Sequence, residues 1–179
     1  MQTYPFKTGA FPDADIPILP QPETAEETRV ESVFAIRIGS QGFLVPADKH
    51  CEVLDKIAVN KLPNVHSWIS GILNVRGNLV PVFDLHIVLE ESLAHHGKRK
   101  LFAIGRGHEA MALWIDGFPE IKDRATLSPL HELPALPQTL QDFAVCGYRQ
   151  DGQLWLDIIF NDLFLALGQH HHATEGMAT

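Results

Sequence analysis

Residues Gly71-Ile72-Leu73-Asn74-Val75-Arg76-Gly77-Asn78-Leu79-Val80-Pro81-Val82-Phe83-Asp84-Leu85 decide how this chain is read. Two apolar runs flank a Gly77-Asn78 pair, a strong short-range signal for a β-hairpin with a two-residue turn. A turn there sets Arg76 opposite Leu79, Val75 opposite Val80, Asn74 opposite Pro81, Leu73 opposite Val82 and Ile72 opposite Phe83. Side chains alternate across a strand, so the pairs sort onto two faces. Leu73, Val75, Val80 and Val82 form a wholly aliphatic core face. Ile72, Asn74, Arg76, Leu79, Pro81 and Phe83 form the other, which is apolar but carries an amide and a guanidinium near its tip. That mixture suits a partner: exposed apolar patches mark contacts, and arginine is enriched where interfaces hold their energy. Pro81 cannot donate to a ladder and fits an edge strand or a bulge.

Outward from the hairpin the chain is dense in strand signals. Residues 33–38 and 43–47 read as strands joined by Gly39-Ser40-Gln41-Gly42, and residues 52–57 as a third. Asn64 is an N-cap for one or two helical turns carrying Val65, Trp68 and Ile69, stopped by Gly71. A short helix over 86–93 follows the hairpin. The second half repeats the order. Strands at 100–104 and 110–115 flank Gly105-Arg106-Gly107-His108, and a short strand covers 118–122. A connection with Pro129, Pro134 and Pro137 precedes strands at 143–149 and 154–159, which are joined by Asp151-Gly152. A helix over 163–167, capped by Asn161 or Asp162, ends at Gly168. Leu62-Pro63 corresponds to Leu136-Pro137, and residues 82–85 to residues 155–158. Ten short strands in two groups of five predict an all-β fold of two small packed barrels. A five-stranded barrel has little core of its own, so each lobe must bury against the other.

The 179 residues carry a net charge of -8, which disfavours non-specific attraction to nucleic acid or anionic lipid. The run Lys98-Arg99-Lys100 reads as the solvated start of a strand. Residues 1–29 contain five prolines and read as an extended tail; residues 169–179, with His170-His171-His172, read as a second loose tail. Two cysteines, no secretory leader and no apolar run long enough to span a membrane lead to the expectation of a cytoplasmic chain.

Catalytic patterns are absent from the sequence. It has no nucleophile elbow, no phosphate-binding loop and no His-Glu-x-x-His. Cys51 and Cys146 form no Cys-x-x-Cys pair, and adjacent histidines rarely converge on one ion. His50, His66, His86, His108 and His131 read as surface or loop residues, and Trp68, Trp114 and Trp155 mostly as core. Asp84 and Asp157 end strands ahead of helices, where a carboxylate caps backbone donors. No cofactor is expected. The competing classes are a small metal-dependent enzyme and a barrel that binds single-stranded nucleic acid, the latter opposed by the acidic balance.

The residues 71–77 followed by Val80-Pro81-Val82-Phe83-Asp84-Leu85 resemble the signature of the CheW-like chemotaxis coupling proteins. The pattern is Gly-apolar-x-Asn-apolar-Arg-Gly, then Pro-apolar-x-Asp-Leu. The resemblance extends over about residues 33–167, and Asn-Val-Arg-Gly-Asn-Leu with the proline-rich leader is most similar to the coupling proteins of type IV pilus twitching-motility systems. It implies two intertwined five-stranded SH3-like barrels with short connecting helices and a short C-terminal helix. It also implies a non-catalytic adaptor, recruited to membrane receptor arrays. Its partners would be the cytoplasmic tip of a methyl-accepting chemoreceptor and the regulatory domain of a CheA-type histidine kinase. Asn74, Arg76 and Gly77 match the motif whose arginine lies at the family's receptor-binding groove; Gly71, Pro81, Asp84 and Leu85 match positions that shape the hairpin. A flagellar output is the alternative.

Overall fold

The structure, a computed structural model, describes residues 31–55, 58–89 and 98–169. The proline-rich leader, the histidine tail and the end of the short helix expected over 86–93 lie outside these residues.

Among the described residues eleven strands run in chain order: β1 (Ser32–Ile38), β2 (Gln41–Pro46), β3 (Cys51–Leu54), β4 (Ile69–Val75), β5 (Asn78–Phe83), β6 (Arg99–Ile104), β7 (Met111–Asp116), β8 (Glu120–Asp123), β9 (Ser128–Pro129), β10 (Ala144–Gln150) and β11 (Gln153–Ile158). Helices are α1 (Leu85–Val88), α2 (Gln138–Gln141) and α3 (Phe160–Gln169). One sheet has the order β8-β1-β2-β11-β10-β9 and the other β3-β6-β7-β5-β4. The fold is all-β, as the strand spacing predicts.

The two halves of the chain do not make one lobe each. The leading hairpin of the first half, β1–β2, joins β8, β9, β10 and β11 of the second; the leading hairpin of the second, β6–β7, joins β3, β4 and β5 of the first. Each junction is a parallel pair, β2 with β11 and β5 with β7. The sequence similarity between the halves is therefore an exchange of hairpins.

Three apolar clusters follow. Val33, Ala35, Leu44, Leu127 and Trp155 fill one barrel. Leu73, Val80, Val82, Leu101 and Ala112 are among those filling the other. A larger cluster lies between them, with Ile36 and Phe43 from one sheet, Phe102 and Leu113 from the other, and Phe160, Leu163, Phe164 and Leu167 from α3. This shared layer supplies what barrels so small cannot bury alone.

Several local expectations need correction. No helix forms over 64–69. Asn64 has φ 56° directly after Pro63, the pairing that a type II turn favours, and Ile69 already belongs to β4. β3 ends at Leu54. α3 starts earlier than expected and runs through Gly168, where a side chain would meet open space, so nothing in the packing requires a stop. Asp157 caps no helix: it lies within β11, and its carboxylate accepts from Arg124 Nη1 at 2.7 Å. Arg99 is no solvated strand residue, because its Nη2 is 2.6 Å from Asp84 Oδ1.

Candidate functional site

The β4–β5 hairpin turns at Arg76-Gly77, one residue earlier than the Gly77-Asn78 turn expected. Val75 pairs with Asn78, Asn74 with Leu79, Leu73 with Val80, Ile72 with Pro81 and Gly71 with Val82. Every partner moves by two positions, so the division into faces survives. Arg76 at φ 50° and Gly77 at φ 89° give the two positive angles of a type I′ turn. An arginine in that conformation costs about 1–2 kcal/mol relative to the right-handed region. The neighbours hold it there: Asn74 Oδ1 accepts the Gly77 N–H at 2.8 Å, and Asn78 Nδ2 donates to the Val75 carbonyl at 3.4 Å. Asn74 and Gly77 thus act on the shape of the turn.

Arg76 projects into solvent, its side chain 68% exposed, and Nη2 donates to Glu52 Oε1 on β3 at 2.9 Å. Leu79 is 67% exposed beside it. Ile72 is half-buried, and its backbone exchanges hydrogen bonds of 2.9 and 2.7 Å with Asn60. Because Ile72 turns its N–H and C=O away from β5, its partner Pro81 occupies a pair without ladder bonds, and the missing donor costs nothing there. Gly71 lies against the same crossing: with φ 139°, an added Cβ would meet the Asn60 carbonyl oxygen at 2.2 Å.

Phe83 departs from the expectation. A bulge between Ile69 and Gly71 precedes it, and α3 covers it, with Phe83 and Phe164 ring centroids 4.4 Å apart. Only 6% of it is exposed, so it belongs to the shared core and leaves the candidate binding face. Leu85 is fully buried, and Asp84 caps α1 by accepting the His86 N–H at 3.3 Å.

Beside the turn lies a cleft of about 360 Å³. Val75, Val80, Ala103 and Ala110 line its floor, while Arg76, Glu52, His50 and Arg106 rim it. Arg106 Nη2 donates to His50 Nδ1 at 3.0 Å. The sequence reads His50 as a surface or loop histidine and Arg106 as part of a glycine loop, and assigns a binding role to neither. The available signal was the recurrence of Arg-Gly: Arg106-Gly107 repeats Arg76-Gly77, and Gly107 also has positive φ, 60°.

The described residues also hold a buried polar network that sequence reading missed. His86, read as a surface or loop histidine, is fully buried. Nδ1 lies 3.2 Å from Asp84 Oδ1 and Nε2 3.0 Å from Asp116 Oδ2. Asp116 Oδ2 also accepts the Gly39 N–H at 2.7 Å, which ties the end of β7 to the β1–β2 turn of the other sheet. Burial opposes a charged imidazole, but hydrogen bonds to Asp84 and Asp116 outweigh it and raise the His86 pKa above its ordinary value. Burial likewise opposes the Asp84 carboxylate, yet His86 and Arg99 hold its pKa below the ordinary value. Cys51 is pushed up to about 11, mainly by burial and then by Asp48, so it stays a thiol. No group of three or more His, Cys, Asp or Glu side chains able to hold a metal occurs among the described residues. None of the described helices is long and apolar enough to cross a membrane.

The family model of the CheW-like domain matches residues 32–164. Protein PilI of Pseudomonas aeruginosa is 29% identical over 150 residues, covering 83% of this chain and 82% of PilI. Protein FrzA of Myxococcus xanthus is 32% identical over 87 residues, or 48% of this chain and 54% of FrzA. Chemotaxis protein CheW of Helicobacter pylori is 23% identical over 107 residues, or 59% of this chain and 62% of that protein. The crystal structure of the scaffolding protein TtCheW from Thermoanaerobacter tengcongensis has the same fold, with a TM-score of 0.58 and 18% identity over 75% of this chain and 92% of its own. From the first residue of β1 into α3, then, the interlocked barrels and the hairpin they display belong to the CheW-like domain family.

Proposed function

We propose that this protein is a non-catalytic adaptor that joins the cytoplasmic tip of a methyl-accepting chemoreceptor to the regulatory domain of a CheA-type histidine kinase. Its output would be type IV pilus twitching motility. It acts in the cytoplasm, is recruited to receptor arrays and needs no cofactor. The observation that carries this reading is Arg76, held at positive φ on a braced turn and 68% exposed next to Leu79. Backbone strain at an exposed cation is what a contact site retains and a merely structural turn would lose. Arg76, Leu79 and Ile72 make the receptor contact, with Asn74 and Gly77 fixing the turn. The likeness to PilI, which spans 83% of the chain, favours the pilus output over the flagellar one, for which the likeness to a chemotaxis CheW spans 59%.

The mechanism is coupling by two contacts, with no bond made or broken in this chain. Each contact can be modest, at or below about 800 Å² per partner, because an array supplies avidity. The test is co-sedimentation of the full chain with the receptor tip and the kinase encoded in the same genome. The native chain should bring the two down together and raise kinase autophosphorylation, and Arg76→Glu should abolish both. Native association that survives Arg76→Glu unchanged overturns the assignment of the hairpin.

A further inference from the structure

We infer that Arg106 is a second anion-binding residue of this site: with Arg76 across the cleft, it receives a carboxylate side chain of the receptor tip. The inference rests on the coupling reading above and specifies the chemistry of the partner at that contact.

Arg76 and Arg106 stand on the rim of one cleft, contributed by the β4–β5 turn and by the loop after β6. They are not equivalent. Arg76 is offset by Glu52 at 2.9 Å. Arg106 instead donates to a ring nitrogen of His50, and a nitrogen that accepts carries no proton. No carboxylate among the described residues pairs with Arg106. The cleft therefore holds two guanidiniums and one carboxylate, a local cationic excess on a chain of net charge -8.

The floor between the two cations narrows the choice of ligand. Val75, Val80, Ala103 and Ala110 present hydrocarbon, which favours an anion carried on an apolar stem. Low polarity under the guanidiniums strengthens a charge-assisted bond to that anion. Arginine's planar fork matches a carboxylate in bidentate fashion. A glutamate or aspartate flanked by apolar residues on the receptor helix has these properties, and Leu79, 67% exposed beside the turn, supplies apolar surface for its neighbours.

The experiment measures affinity between the full chain and the receptor tip from the same genome by anisotropy, with Arg106→Gln, Arg106→Lys and Arg106→Glu variants. Arg106 is exposed, so unchanged melting temperatures verify that the variants fold. Arg106→Gln should weaken binding about tenfold and Arg106→Glu further, while Arg106→Lys, which keeps the charge but loses the fork, should fall between native and Arg106→Gln. One acidic-to-lysine change in the tip should restore binding to Arg106→Glu alone. Native affinity in Arg106→Glu, or failure of every such change to restore binding, overturns the inference. Failure of the native chain to bind the tip is a different result and strikes the coupling reading itself.

Discussion

His86 Nε2 lies 3.0 Å from Asp116 Oδ2 in the protein interior, and the same carboxylate oxygen accepts the Gly39 N–H from the opposite sheet. One imidazole thus ties α1 to the ends of both leading hairpins. Its contacts with Asp84 through Nδ1 and with Asp116 through Nε2 favour the charged ring and raise its pKa above the ordinary value. Such a group is where charge state and lobe packing are linked.

The pH dependence follows with definite signs. The His86 pKa is raised in the folded state, so its contribution is complete below the ordinary value of 6.5 and is lost as pH rises through the folded pKa. The Asp84 pKa is lowered, so its contribution is complete above the ordinary 3.8 and is lost as pH falls through its folded pKa. Stability from this network should therefore be greatest between those two ordinary values. Removing one member of a buried pair costs about 3–5 kcal/mol. His86→Ala should accordingly melt about 6–20 °C below native at pH 6, since 1 kcal/mol is about 2–4 °C at this chain length. Thermal melts from pH 5 to 9 should show that gap narrowing as pH rises; a constant gap would contradict the network.

The two hairpin faces separate by stability. Leu73 is fully buried, and placing a charge there by Leu73→Asp should prevent stable folding. Arg76→Glu removes only an exposed ion pair, for which about 0–1 kcal/mol is typical. Circular dichroism melts should show the first variant unfolded or molten and the second within a few degrees of native.

Arg76→Asn isolates the strain at the turn. Asparagine tolerates the positive φ that arginine occupies at 50°. This variant should gain about 0.5–1 kcal/mol, a rise of about 1–4 °C, while losing affinity for the receptor tip. A melting temperature below native would show that the Glu52 pair outweighs the backbone term.

Phe83 and Leu79 were expected on one contact face, and α3 divides them. Phe83→Ala should cost about 3–5 kcal/mol through the cavity left against Phe164. Leu79→Ala should change stability by no more than about 0.5 kcal/mol, because its side chain is solvated. Urea unfolding of both variants, read at equal denaturant slope, measures the difference.

Gly71→Ala tests the backbone crossing. A Cβ at 2.2 Å from the Asn60 carbonyl oxygen must displace backbone, and φ 139° is strained for alanine in any surroundings. The expected loss is at least about 2 kcal/mol. Gly77→Ala meets no atom within 4 Å and should cost only the turn strain, about 1 kcal/mol.

Local patterns in the amino-acid order were enough for ten of the eleven described strands, the hairpin faces apart from Phe83, the family and the arginine at the tip, because alternation and turn chemistry act between near neighbours. Parity explains why the faces survived a turn misplaced by one residue. What stayed hidden depends on contacts between residues far apart in the chain. Only the fold exchanges hairpins between the halves, lays α3 over Phe83, seals His86 between Asp84 and Asp116, and carries Arg106 to the cleft beside Arg76. Burial and charge pairing are properties of the assembled sheets, and a one-dimensional pattern records neither.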